Sequence, residues 1–309
     1  MPKASNNLSA IGFNVSDAES FIQLLQDTAK DAEEVEIEAQ GSYKRFETPE
    51  GAQMWLQLSP DGEVCGGQPH FKGTSRYKVK VIKPFPENHF DGRFLCETVE
   101  GDTAGVPFAF DSPDFQVHPY TFRMGAECTV QLTAFPREID FHKDIEAFRE
   151  ASAAVLPPEM VEKHTEEWGE PPVLLDPDGG MIPSGTFTPG PEGGPIDPPQ
   201  PIVIYCGKVY DIKRNTNSTS GNDFYSMTLK TLGGSVDLIA EPSLVPDDIE
   251  DGYIVYGDFY VTGLFIEKPQ LPDDAKELLM KKMLEAFEQA QAKKKKKKKG
   301  FFGRLFGKR

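Results

Sequence analysis

Five histidines and four cysteines carry the widest chemical repertoire in this chain. His70 stands apart from the other histidines. It follows Gly66-Gly67-Gln68-Pro69, precedes Phe71, and has Gly73 just beyond. A histidine on a glycine-rich loop can serve as a general base or a metal ligand. Glu97, Asp111, Asp114 and Glu127 are the carboxylates a fold could bring to it. The competing reading is a loop histidine packed beside Phe71, serving structure alone. His89, His118, His142 and His164 show no HxH, HxxxH or HExxH spacing, so no metal motif is written locally. No metal and no cofactor is expected. Cys65, Cys96, Cys128 and Cys206 are far apart and form no CxxC, which excludes a zinc ribbon and suggests free, buried thiols. GxSxG, P-loop and GxGxxG signatures are all absent from the sequence.

The other chemistry lies at the C-terminal end. Lys293, Lys294, Lys295, Lys296, Lys297, Lys298 and Lys299 run together, followed by Gly300, Phe301, Phe302, Gly303, Arg304, Leu305, Phe306, Gly307, Lys308 and Arg309. Phe301, Phe302, Leu305 and Phe306 fall on one helical face, flanked by the cations. Polybasic charge beside large apolar groups suits an anionic bilayer surface. Each cation is worth about 1 kcal/mol near such a surface. Each buried apolar side chain adds roughly 1.5–3 kcal/mol. The glycines weaken the helix in water, so it is expected to form on binding. The alternatives are a protein partner, the chain's own acidic body, nucleic acid, or a solvated tail.

Those charges also reframe the composition. The chain has 309 residues and a net charge of −16. Removing the ten basic charges of 293–309 leaves −26 on the rest. Such a body repels phosphate backbones, and nucleic acid is a disfavoured partner. No apolar run reaches the roughly 18 residues of a membrane span.

The elements that must position these residues read as α+β. Ile11, Phe13 and Val15 alternate as a strand. Ser16 and Glu19 then form a capping box for a helix over about 17–32. Strands follow at 35–39, 42–47 and 53–58, separated by turns. Further strands are expected at 76–83, 94–99, 106–110 and 127–135, then a helix over 143–155 with Ile145, Phe148 and Ala151 or Ser152 inward. Twelve prolines and seven glycines in 157–201 suggest an extended linker. After it come strands at 202–212, 224–231, 235–240, 252–259 and 260–266, a small Greek-key barrel. No internal repeat is legible. The organisation expected is an α+β N-terminal domain with a mixed antiparallel sheet (1–156), a Pro/Gly-rich linker (157–201), a small β-barrel (202–268), a helix (269–292) and the polybasic tail (293–309).

Three resemblances accompany this reading. The segment Gly252-Tyr253-Ile254-Val255-Tyr256-Gly257-Asp258-Phe259 resembles an OB-fold. Such barrels often stack bases on aromatics, and Tyr205, Tyr210, Phe224, Tyr225, Tyr256, Phe259 and Tyr260 are available. Residues 202–268 nevertheless hold five Lys/Arg against ten Asp/Glu. The pieces Ile11-Gly12-Phe13-Asn14-Val15 and Pro49-Glu50-Gly51-Ala52-Gln53-Met54-Trp55-Leu56 resemble a vicinal oxygen chelate (glyoxalase-like) module. That family places His and Glu metal ligands where this chain has Asn14 and Gln53 or Gln57. Gly66-Gly67-Gln68-Pro69-His70-Phe71, Pro107-Phe108-Ala109-Phe110-Asp111, Gln131-Leu132-Thr133-Ala134-Phe135 and Thr231-Leu232-Gly233-Gly234 resemble a bacterial two-domain group with no assigned activity. The function expected is a non-enzymatic cytoplasmic adaptor, peripheral at the inner membrane face, with a protein partner through tail or barrel as a further possibility. The alternatives are a metal-dependent glyoxalase-like enzyme centred on His70, and a nucleic-acid-associated protein using the tail.

Overall fold

The computed structural model describes residues 6–37, 41–88, 90–101, 104–117, 125–187 and 198–267. The expected helix at 269–292 and the tail at 293–309 lie outside them, as do His89 and His118. The described chain is α+β.

The chain enters through a helical turn, α1 (Asn7–Ala10), capped by the Asn6 side chain. The strand expected at 11–15 is not formed. Gly12 adopts φ +83°, which ends any extended run. The Ile11 carbonyl takes its hydrogen bond from the side chain of Asn217, and the Gly12 carbonyl from those of Ser220 and Asn222, instead of a strand ladder. Ile11 and Phe13 are buried all the same. Helix α2 (Ala18–Thr28) begins one residue later than expected. Asp17 caps it, accepting from Ser20 N at 2.8 Å, while the Ser20 hydroxyl caps back.

Four antiparallel strands follow in sequence order: β1 (Glu33–Val35), β2 (Ser42–Glu47), β3 (Ala52–Leu58) and β4 (Val64–Phe71). Strand β3 is buried on both faces. The glycine-rich segment around His70 is a strand, not a loop: Gln68 pairs with Trp55 and His70 with Gln53. Pro69 is tolerated because this strand is the edge of its sheet.

The remaining strands are β5 (Tyr77–Pro86), β6 (Gly92–Thr98), β7 (Pro107–Asp111), β8 (Glu127–His142), β9 (Met181–Ile182), β10 (Ile202–Thr216), β11 (Asp223–Thr231), β12 (Gly234–Ala240) and β13 (Ile254–Phe265). They form one nine-stranded sheet. Strand β13 is continuous where two strands were expected. It lies antiparallel to β8 from Ile254–His142 to Phe265–Val130.

The pairings close two rings that share β8 and β13. One runs β10–β11–β12–β8–β13 and back to β10. The other runs β5–β6–β7–β13–β8 and back to β5. In each ring the third strand meets its long neighbour in parallel: Asp237 faces Thr133, and Asp111 faces Thr262. The two four-strand runs, 77–142 and 202–265, therefore have the same plan, a repeat the sequence does not display.

The boundary expected at 157–201 does not separate two cores. One cluster joins Val79, Phe94 and Phe108 to Val209, Leu229 and Val255, and residues 1–269 make one compact unit. The segment 157–201 is also not uniformly extended. After α3 (Ile145–Val155), which buries Phe148 and Ser152, comes α4 (Pro158–Trp168). Pro158 opens α4 because its missing N–H costs nothing in the first turn. Then β9 pairs with Ile204 and Tyr205, and α5 (Ser184–Phe187) follows. The β1–β4 sheet packs on the double ring through Met54, Leu56 and Phe71 against Phe135, Phe224 and Ile239.

Candidate functional site

His70 projects from β4 onto the seam between β8 and β13, where it is fully buried. Its Nδ1 lies 2.7 Å from Thr262 Oγ1 and its Nε2 lies 2.8 Å from Gln131 Oε1. Gln131 Nε2 donates to Asp237 Oδ2 at 2.8 Å and to Thr133 Oγ1 at 3.1 Å. With the amide nitrogen held by the carboxylate, Oε1 must accept, so His70 carries its proton on Nε2 and accepts at Nδ1 from Thr262. Asp237 also takes the N–H of Ser75 at 3.0 Å and of Thr74 at 3.2 Å. A Cβ on Gly73 would stand 2.0 Å from this carboxylate, so the turn after β4 requires glycine there.

Burial pushes the His70 imidazole down to about 4, while Gln131 and the nearby Asp114 charge pull the other way. The ring is thus neutral, with both nitrogens engaged by uncharged groups. Its two hydrogen bonds join the first sheet to the β8–β13 seam of the second.

The second ring holds an equivalent arrangement. Tyr260 precedes Thr262 by two residues, as Gln131 precedes Thr133. Tyr260 donates its hydroxyl to Asp111, as Gln131 donates to Asp237. Asp111 further faces Arg93 Nε at 3.0 Å, and Arg93 pairs with Glu87 and donates to the Pro199 carbonyl at 3.0 Å. Burial pushes the Asp111 carboxyl up to about 6, against the pull of Tyr260 and Arg93. The same burial, with the Asp111 charge, holds the Tyr260 phenol well above its ordinary range.

The carboxylates named in the sequence divide. Asp111 pairs in register with Thr262, the residue His70 touches, and buried Asp114 receives the Ser112 hydroxyl at 2.7 Å. Glu97 and Glu127 instead both flank Lys80, and Glu97 pairs with it at 2.9 Å. Among the described residues no group of three or more His, Cys, Asp or Glu could hold a metal ion. Gln53 takes the Trp55 indole N–H and donates to Glu47, and Gln57 donates to Asp91. Cys96, Cys128 and Cys206 are buried and free, and burial raises their thiols; Cys65 is exposed, contrary to the expectation for all four. Of the aromatics available for base stacking, Tyr205, Phe224 and Phe259 are core. The basic and apolar residues 293–309 lie outside the described residues.

Gln131, Thr262, Asp237, Arg93 and Tyr260 complete these two clusters, and none was singled out for this role from sequence. The only trace is the recurrence of a polar residue two positions before a threonine, Gln131-Leu132-Thr133 and Tyr260-Val261-Thr262. Clefts also open on the surface among the described residues. One, of about 420 Å³, has a floor of Ile202, Ile204, Tyr256 and Gly257 and a rim of Arg137, Glu138 and Asp258. Arg137 is the extra residue of a β-bulge in β8 and donates to Asp258 at 2.8 Å. Another, of about 490 Å³, lies beside Asp237 and is lined by Lys72, Asp211 and Lys213. Asp211 takes φ +54° at a bulge in β10. No helix among the described residues is long and apolar enough to cross a membrane. No protein-family model and no curated protein matches the chain.

Proposed function

We propose that this protein is a non-catalytic binding protein, an adaptor whose folded body presents binding surfaces and whose residues 293–309 hold it to an anionic membrane face. The observation that carries the non-catalytic reading is the state of His70. A base or ligand needs a nitrogen open to its target, and both His70 nitrogens are engaged inside the core. The tether rests on composition: ten cations and four large apolar side chains within 293–309.

We read the ring β10–β11–β12–β8–β13 as OB-like. Its support is the strand order together with the parallel contact of β12 with β8. In this reading β8, from the first half of the chain, takes the position of the fifth strand. The N-terminal segment lies against the 217–222 loop and the β11 face, so that surface is already occupied within the chain.

The test is co-sedimentation with vesicles containing anionic lipid. The full chain is expected in the pellet, with binding weakened by salt. Deletion of 293–309 is expected to return it to the supernatant. Equal sedimentation of both proteins would overturn the tether.

A further inference from the structure

Helix α4 lies at the surface: none of its eleven residues is buried, and only Val161 and His164 are half-buried. Trp168 is 68% exposed and Met160 52%, and Val155, at the end of α3, is 67% exposed. Met160, His164 and Trp168 are spaced by four, which places them on one face of the helix. The rings of His164 and Trp168 lie 6.3 Å apart. An eleven-residue helix is marginal in water by itself, and helices in folded proteins depend on packing an apolar stripe. In α4 the apolar members of that stripe, Met160 and Trp168, face solvent.

The C-terminal end of the helix is nonetheless firmly set, while Pro157 at its start makes no side-chain cap. Gly169 closes it in the left-handed conformation, His164 Nδ1 lies 2.8 Å from the Glu170 carbonyl, and Arg149 pairs with Glu170 at 2.6 Å. The helix is therefore presented in a fixed position. Its charges are one-sided: Glu159, Glu162, Glu166 and Glu167 stand against Lys163 alone. An exposed tryptophan and methionine on one helix face are the composition of an interface centre, and the glutamates supply a charged rim.

We propose that α4 docks a basic amphipathic polypeptide segment. Its large apolar side chains would cover Trp168 and Met160, and its lysines or arginines would face the glutamates. Charge complementarity selects this partner. Phosphate-bearing surfaces, lipid or nucleic acid, meet the same four glutamates as a repulsive field. A neutral apolar partner would leave those carboxylates desolvated and uncompensated. This surface is distinct from the tether proposed above and does not depend on it.

The probe is a free peptide with the sequence of residues 293–309, which has the required chemistry. The control is the same peptide with Phe301, Phe302, Leu305 and Phe306 all changed to serine. The full-length chain has two tryptophans, and Trp55 is buried, so a shift in emission reports Trp168. The expected result is a saturable blue shift with the probe and none with the control. Met160→Ser is expected to weaken binding about tenfold or more, as for residues at an interface centre. The pair Glu162→Lys and Glu166→Lys is expected to abolish it. All three positions are exposed, so these variants keep the fold, which circular dichroism checks.

No shift in a chain whose emission is also unchanged by deletion of 293–309, an equal response to the serine control, or unchanged binding by the double lysine variant would each overturn the docking surface. A tryptophan already blue-shifted in the free chain, and red-shifted on deletion of 293–309, would support the surface and name the chain's own segment as its occupant. Vesicle binding by the α4 variants is expected to match the unaltered chain. Loss of vesicle binding by the full chain, with the peptide shift intact, would remove the tether alone.

Discussion

At the scale of single residues, two buried titratable groups make opposite demands on pH. His70 has its proton affinity lowered from 6.5 to about 4, so the unfolded chain protonates first as pH falls. Its contribution to stability is whole above pH 6.5 and is lost as pH falls toward 4. Asp111 is raised from 3.8 to about 6, so the folded state protonates first. Its contribution is whole below pH 3.8 and is lost as pH rises toward 6. Urea midpoints between pH 4 and 7 separate the two. His70→Gln is expected to flatten the acid-side loss, at a cost of about 1–3 kcal/mol at neutral pH from the unsatisfied partners. Asp111→Asn is expected to steepen that loss, because the term opposing it is gone. Parallel pH profiles for all three proteins would show that neither group carries the dependence.

At the scale of elements, the β4–β5 connection is the point where the first sheet is joined to the double ring. Gly73 lets the Asp237 carboxylate close on the N–H groups of Thr74 and Ser75. Gly73→Ala is expected to destabilise by about 1–3 kcal/mol, since neither the carboxylate nor the turn can yield without losing hydrogen bonds. An unchanged denaturation midpoint would show that the connection relaxes freely. Much of the secondary structure here was legible in alternation and in turns: β2, β3, β6, β7, β11 and β12 lie close to where period-two patterning put them. The errors have local causes. At 11–15 a left-handed glycine and side-chain partners replaced a ladder. At β4 the glycines and Pro69 imitated a loop, because an edge strand tolerates both. At α4 the proline count of the surrounding segment concealed a helix that a proline begins.

At the scale of the whole molecule, the sharing of β8 and β13 makes the halves interdependent. Fragments 1–156 and 157–309 are each expected to lack a cooperative thermal transition. Each would lose one wall of its ring and expose an unpaired strand edge. Mixing them is expected to restore a transition if the strands can exchange. A cooperative melt in either fragment alone would contradict the shared-strand account. The full chain, with one core running through both rings, is expected to unfold in a single step.

By itself the sequence determined the α+β class, most strand positions, the acidic body and the basic, phenylalanine-bearing tail. These follow from local quantities: charge, period and turn residues. Only the tertiary structure decided the surroundings of His70, because what reaches a histidine's two nitrogens is set by the fold. Thr262 and Gln131 stand 192 and 61 residues away along the chain. It alone also showed that the proline-rich segment separates no domains, since strand partners are chosen by closure of a ring and not by nearness in sequence.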